Sequence, residues 1–170
     1  MIITLIGMPA AGKTCMGKKL SKVLGMKQLD GDKLIEKITG RKLQEIIDTD
    51  GLQAFKKIEE EVLLSIKDDN VIISPGGSAV YYESVMEYFK SRGPIIYICV
   101  SPEILIKRLG DFSKRGVVLE QGQTIYDLYN ERAPLLEKYA DIILNCNGSS
   151  FGKYQKEAVE KINAISSKYK

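Results

Sequence analysis

Histidine and tryptophan are both missing from this 170-residue chain. Without histidine the commonest general base near neutral pH and the commonest metal ligand are gone. Acid–base chemistry therefore falls to carboxylate, lysine, tyrosine or water. Cysteine is scarce: Cys15, Cys99 and Cys146 stand far apart and odd in number. That excludes a disulfide framework and a four-ligand zinc site, and each reads as a small buried hydrophobe. No apolar stretch approaches the ~20 residues that span a bilayer. No basic leader or small-residue cleavage site precedes the first apolar run, which argues against a secretory signal and for a cytoplasmic protein. An excess of one charge is missing too. The balance of 25 basic and 22 acidic residues, net +3, is too even to call for a nucleic acid or an anionic membrane as partner.

What remains is an ordinary globular composition, 44% hydrophobic and 28% charged. No linker, repeat or low-complexity segment divides it, so residues 1–170 are expected to form one domain, acting as a monomer. Apolar runs alternate with helix-period stretches. Strands are predicted over 2–6, 26–29, 71–74, 95–100 and 141–144. Helices are predicted over 13–24, 32–39, 43–48, 52–65, 84–90, 102–108, 124–139 and 151–169. The runs Val71-Ile72-Ile73 and Ile95-Ile96-Tyr97-Ile98-Cys99-Val100 are apolar throughout, as in strands covered on both faces. Such alternation predicts a parallel α/β sheet, with the site beyond the carboxyl ends of its strands.

Residues 7–14 read GMPAAGKT, the pattern G-x-x-x-x-G-K-T. A strand precedes it and a helix follows, the setting in which backbone N–H groups converge on phosphate oxygens. Gly7 and Gly12 supply conformations and approaches that a Cβ blocks. Ala10 and Ala11 keep the loop free of bulk, and Cys15 follows at the helix start. Lys13 is placed to reach the β- and γ-phosphates, and the Thr14 hydroxyl to ligate Mg²⁺. The pattern in this setting predicts nucleotide binding.

Four further constellations follow. Asp30-Gly31-Asp32 puts two carboxylates at a strand-to-helix junction, one for Mg²⁺ and one to orient or deprotonate an attacking hydroxyl; Asp at a helix start is also an ordinary cap. Ser74-Pro75-Gly76-Gly77-Ser78-Ala79 offers close backbone approach and a hydroxyl to a ligand. The polar, glycine-bounded stretch 110–123 carries Lys114 and Arg115 and suits a closing lid, with Arg115 set to meet charge on a transferring phosphoryl group. In Glu131-Arg132-Ala133-Pro134, Pro134 is expected to interrupt or kink the helix. From the residues alone, Arg132 reads better as a surface arginine than as a carboxylate ligand. The clusters Lys56-Lys57 and Glu59-Glu60-Glu61 read as a solvated helix face.

From about residue 2 to residue 141, this succession resembles the shikimate kinase family. The landmarks are the P-loop GMPAAGKT, the pair Asp30-Gly31-Asp32, Phe55-Lys56-Lys57-Ile58-Glu59 for an F-R-x-x-E segment, Gly76-Gly77-Ser78 for a three-glycine loop, a lid arginine at Arg115, and Arg132-Ala133-Pro134-Leu135-Leu136. The resemblance implies a P-loop NTPase fold: three α/β/α layers, a five-stranded parallel sheet, helices on both faces and a mobile lid. It also implies roles. Asp32 binds substrate hydroxyls and takes the proton, Asp30 sits near Mg²⁺ with Thr14, Arg132 holds the substrate carboxylate, and Arg108 packs on the adenine. Lys56, Gly76, Gly77 and Ser78 complete the acceptor side. The departures gather there: Lys56 stands for an arginine, Ser78 for a third glycine, Leu136 for a tyrosine, and Arg115-Gly116 for Arg-Pro.

The expected activity is transfer of the ATP γ-phosphoryl group, with Mg²⁺, to a hydroxyl of a small carboxylated polyol, shikimate first among them. Two alternatives stay open at this point. One is a gluconate-type or nucleotide-type kinase. The other is a P-loop module that binds ATP without phosphotransfer. Acceptor-dependent release of ADP separates them.

Overall fold

The computed structural model describes residues 1–110, 122–148 and 150–169. Its sheet holds five parallel strands: β1 (Ile2–Ile6), β2 (Lys27–Asp30), β3 (Val71–Ser74), β4 (Ile95–Cys99) and β5 (Ile142–Asn145), in the order β2-β3-β1-β4-β5. Burial follows position in that order. All five residues of β1 and all four of β3 are buried, whereas β5, at an edge, alternates buried and exposed. Strands covered by helices on both faces need apolar residues at every position, and this explains the unbroken runs in the sequence.

The helices are α1 (Lys13–Leu24), α2 (Gly31–Thr39), α3 (Leu43–Asp50), α4 (Leu52–Leu64), α5 (Glu83–Arg92), α6 (Pro102–Leu109), α7 (Ile125–Tyr139) and α8 (Phe151–Ile165). From β1 the chain leaves through α1 toward β2; from β3 it leaves through α5 toward β4, on the other side of β1. Neighbouring strands whose connections depart in opposite directions open a crevice at their carboxyl ends. The P-loop and the Pro75–Ser78 turn form its two lips.

Several boundaries differ from the sequence expectation, each for a visible reason. The second strand starts one residue late because the Met26 amide is spent capping α1, on the carbonyl of Ser21 at 3.1 Å; pairing begins at Lys27, whose amide reaches Asn70 O. The fifth strand also starts one residue late. At Asp141 the amide already donates to Ile95 O at 2.9 Å, while the carboxylate takes the place of a strand carbonyl and accepts from the Ile95 amide at 2.9 Å, bracing β4. Thr124 is a cap rather than the first helical residue: it and Asp127 satisfy each other's amides. The last helix ends at Ile165 and tightens to a 3-10 turn over Ser166–Tyr169, where Ser166 Oγ donates to Ile162 O at 2.6 Å. Pro134 does not interrupt α7, which runs on to Tyr139. The bond forfeited is the one to the Asn130 carbonyl, and Asn130 is exposed, where solvent is at hand to satisfy a freed carbonyl. The cysteine expectation holds for Cys146, which is buried, but Cys15 is exposed and Cys99 half-buried.

One packing contact generates a stability prediction. Gly93, between α5 and β4, lies so close to β1 that a Cβ would collide with the Ile2 carbonyl oxygen. Backbone cannot step aside as a flexible side chain would. Gly93→Ala is expected to cost about 3 kcal/mol or more, roughly 6–12 °C in Tm for a chain of this size. Thermal unfolding checks it, and a Tm unchanged from wild type would mean that β1 and α5 can separate at little cost.

Candidate active site

The P-loop is built from three unusual backbone positions. Gly7 has φ +150°, Ala10 φ +61° and Gly12 φ +101°. Gly7 is required twice over, since a Cβ there would also stand 2.8 Å from the Ile98 carbonyl oxygen of β4. Ala10 takes a left-handed conformation that costs a side-chain-bearing residue about 1 kcal/mol or more. The turn is closed by the Ala11 amide on Met8 O, 3.1 Å, with Met8 and Ala11 both buried. Arg108, from α6, clamps it from outside: Nη1 donates to Ala10 O (3.4 Å) and Ala11 O (3.2 Å). A shallow cleft runs along this outer face past Gly12, Lys13, Thr14, Cys15 and Arg108.

On the inner face lies a second cleft of about 280 Å³. The P-loop gives it Pro9, Ala10, Lys13 and Thr14; the end of β2 and start of α2 give Asp30 and Asp32; the turn after β3 gives Ser74 to Ser78. From α4 come Phe55 and Glu59, and from α7 comes Arg132. Lys13, Thr14, Asp30, Asp32, Gly76, Gly77, Ser78 and Arg132, far apart in the chain, thus share one wall. Lys56 is not among the residues lining it; it sits half-buried on α4 beside Phe55. Arg115 and Lys114 lie outside the described residues, as does most of the stretch 110–123.

Lys13 Nζ donates to the carbonyls of Gly7 (2.9 Å) and Met8 (3.0 Å). Desolvation pulls its ammonium down to about 8; Asp32 and Asp30 oppose the shift and Arg132 adds to it. Asp32 keeps contact with solvent at the cleft mouth, but the protein packed around it raises its carboxyl to about 6, helped by the charges of Asp30 and Glu59 and opposed by Lys13. Asp30 caps α2, accepting from the Lys33 amide at 3.3 Å, and its other oxygen accepts from Thr14 Oγ1 at 3.3 Å. Capping and ligand roles are compatible, because a carboxylate has lone pairs for both.

Mg²⁺ is a hard cation that takes oxygen ligands and keeps several of its waters. Thr14 Oγ1 and the Asp30 carboxylate offer such oxygens side by side. Ser74 Oγ, on the same cleft, is buried without a hydrogen-bond partner. An unpaired hydroxyl in a wall costs free energy unless a ligand or a bound water completes it. Residues Thr14, Asp30 and Ser74 therefore fit a hydrated Mg²⁺. Among the described residues no three acidic or thiol side chains are placed to hold a metal ion together, so the ion would have to be held largely by water and phosphate.

Three participants were not foreseen. Glu59 was read as part of a solvated charge cluster, but it is 1% exposed and accepts hydrogen bonds from Ser78 Oγ and Tyr82 OH, both 2.6 Å. Burial, then the Glu59 charge, push the Tyr82 phenol far above its ordinary value, so it stays a donor at any working pH. Tyr81 accepts from Arg132 Nε at 3.1 Å. Arg132 itself is 8% exposed rather than a surface residue. The only sequence signal was indirect: Glu59 closes the F-R-x-x-E-like segment, and Tyr81-Tyr82 follow the glycine turn.

The glycines matter by what approaches them. A Cβ on Gly76 would strike Glu59 Oε1 and stand 3.1 Å from Asp32 Oδ1; one on Gly77 would stand 2.9 Å from Arg132 Nη1. The turn is thus a thin partition with carboxylates at one residue and a guanidinium at the next.

The sequence model described as shikimate kinase matches residues 9–163. Shikimate kinases of Francisella tularensis subsp. novicida and Bacillus anthracis are each 32% identical, over 96% and 95% of this chain and 93% and 98% of their own. Among solved structures, shikimate kinase from Acinetobacter baumannii in complex with shikimate superposes with a TM-score of 0.87 at 27% identity, covering 99% of this chain and 95% of its own.

The raised Asp32 carboxyl has a consequence for stability. With a folded value near 6 against 3.8, the stability tied to its protonated form is complete below 3.8 and is lost as pH rises through about 6. Asp32→Asn abolishes that loss. The variant should gain Tm on wild type at pH 7.5 but not at pH 4. An equal Tm difference at both pH values would mean that the folded carboxyl titrates normally.

Proposed function

The chain belongs to the shikimate kinase family, and on that premise we propose that it transfers the γ-phosphoryl group of ATP to a hydroxyl of shikimate, yielding ADP and 3-phosphoshikimate. One observation carries the reading: a cleft that adjoins the P-loop and is acidic at Gly76 and cationic at Gly77. A phosphate-binding module needs neither. A small acceptor with a hydroxyl at one end and a carboxylate at the other uses both.

In this reading the nucleotide lies along the P-loop, its phosphates on the amides around Gly7 to Cys15 and its base toward Arg108. Lys13 turns from its own loop carbonyls to the β- and γ-phosphate oxygens. Mg²⁺, beside Thr14 and Asp30, supplies neutralising charge to those oxygens when bound. Asp32 accepts the proton of the acceptor hydroxyl as the oxygen bonds to the γ-phosphorus and the bond to the β,γ-bridging oxygen breaks. A carboxyl near 6 suits a base at neutral pH: it is ionised there yet more basic than an ordinary aspartate. Rate enhancement comes chiefly from positioning and fixed charge, since phosphoryl transfer asks for little covalent help. Arg132 takes the carboxylate as a planar fork. Gly76, Gly77 and Ser78 set the depth of the acceptor pocket, with Ser78 tied to Glu59. Arg115 is our candidate for meeting charge on the phosphoryl group in flight.

Acceptor-dependent ADP release, measured against a panel of hydroxylated acids and nucleoside monophosphates with shikimate included, tests the activity. Turnover with another acceptor and none with shikimate would overturn the substrate and keep the chemistry. Lys13→Ala should abolish turnover while the thermal transition persists. Full activity in that variant would remove the P-loop from the mechanism.

Carboxylate recognition should rest on one residue. Arg132→Ala is expected to raise KM for shikimate by the worth of a charge-assisted hydrogen bond, about 1.5–3 kcal/mol or more, or roughly 10- to 150-fold. Lys56→Ala should do much less, because Lys56 does not line the cleft. Comparable increases in the two variants would bring Lys56 into direct contact with the acceptor.

A further inference from the structure

Tyr81 ends the 3-10 turn Ala79–Tyr81 that follows the glycine turn, and its side chain is 39% exposed. Its hydroxyl is nevertheless used twice. It donates to Glu131 Oε1 and accepts from Arg132 Nε at 3.1 Å. Its ring also lies against the guanidinium, 5.2 Å from centroid to Cζ. A phenol has one proton to give, and here Glu131 takes it, which leaves the oxygen lone pairs for Arg132.

Glu131 and Arg132 are consecutive on α7, so their side chains diverge by about 100° around the helix and cannot pair face to face. The Tyr81 hydroxyl bridges the gap between them. A second donor, Gln123 Nε2, holds Glu131 at 3.1 Å. Among the described residues, no carboxylate lies within ion-pair distance of Arg132. Its charge is compensated through the phenol, not by direct contact. Nε is engaged, Nη1 lies against Gly77, and the guanidinium sits over the Tyr81 ring. The edge that can grip a carboxylate with two parallel bonds is therefore held still at the cleft wall.

We infer that Tyr81 is a positioning residue for acceptor recognition: its hydroxyl and ring fix the Arg132 guanidinium with its fork at the cleft, and Glu131, by taking the phenol's proton, turns the oxygen lone pairs to Arg132 Nε. The inference rests on the reading of the cleft as a shikimate kinase site. An untethered guanidinium would have to be ordered at each binding event, at a cost in affinity.

Steady-state ADP release with shikimate and ATP varied separately tests this on wild type, Tyr81→Phe, Tyr81→Leu, Arg132→Lys and Arg132→Lys/Tyr81→Phe, with Tm recorded for each. Tyr81→Phe should raise KM for shikimate about three- to tenfold, the worth of one net hydrogen bond, with KM for ATP nearly unmoved. Tyr81→Leu should raise it further, since the ring contact goes too. Lysine has no Nε to tether, so adding Tyr81→Phe to Arg132→Lys should change little. Three results overturn the assignment: an unchanged KM for shikimate in Tyr81→Phe, a parallel rise in both KM values as general loosening would give, or an undiminished effect of Tyr81→Phe in the Arg132→Lys background. A wild type that turns over another acceptor and not shikimate overturns the functional reading itself, and this inference with it.

Discussion

Everything at the mouth of this sheet is arranged around a shortage of positive charge. Asp30, Asp32 and Glu59 line the same cleft as only two described cations, Lys13 and Arg132. Like charges at short range in a partly dry cleft repel strongly, and each can be relieved by an opposite charge, by hydrogen-bond donors or by taking up a proton. The three carboxylates use different remedies. Asp30 spends its oxygens on a helix cap and the Thr14 hydroxyl. Glu59 is held by two hydroxyls, Ser78 and Tyr82, and pairs with no cation among the described residues. Asp32 has neither set of donors; burial first, then the charges of Asp30 and Glu59, raise its carboxyl to about 6 against the pull of Lys13. Of the three it is the one whose raised basicity suits the acceptance of a proton.

That distribution depends on glycine at two points. At Gly76 a single methyl would displace Glu59 and crowd Asp32, and at Gly77 it would press on Arg132. Neither position needs a left-handed backbone. What matters there is thickness. Gly31 plays the matching part across the cleft, where a Cβ would stand 3.0 Å from Pro75 Cα and push β2 from the turn after β3. Such sites resist substitution through geometry at the active centre and not through loss of apolar burial, which is supplied elsewhere by β1, β3 and β4.

Much of this was legible in the chain itself, and the exceptions have a common cause. The P-loop could be read because its residues are contiguous and act through their own backbone, with strand and helix immediately on either side. The central strands could be read because double-sided burial leaves runs such as Val71-Ile72-Ile73. Glu59 could not, since one buried carboxylate among three consecutive glutamates has no local mark; its donors come from 19 and 23 residues downstream. Arg132 reads as a surface residue because burial here is conferred by a turn 51 positions earlier, at Tyr81. Helix 13–24 was bounded correctly, whereas the one-residue shifts at Met26 and Asp141 arise where a strand-end group is diverted to cap a neighbouring element. Local chemistry was readable, and pairing across distance was not.

The partition between Gly76 and Gly77 also constrains what can be phosphorylated. Consecutive Cα atoms are about 3.8 Å apart, so the turn residues that face the carboxylates and the guanidinium are neighbours in the wall. An acceptor that meets both must carry its reactive hydroxyl and its carboxylate on a compact frame, because a cleft of about 280 Å³ admits no long tether between them. A nucleoside monophosphate would bring a base and a ribose to a wall whose one cationic fork among the described residues sits beside a glycine turn, with Phe55 and Leu43 among its apolar company. A small ring acid fits that wall better on size and on polarity. With Lys56 outside the described lining, a substrate carboxylate held as proposed would meet a single described guanidinium, and the orientation of Arg132 would then carry the discrimination that two arginines would otherwise share.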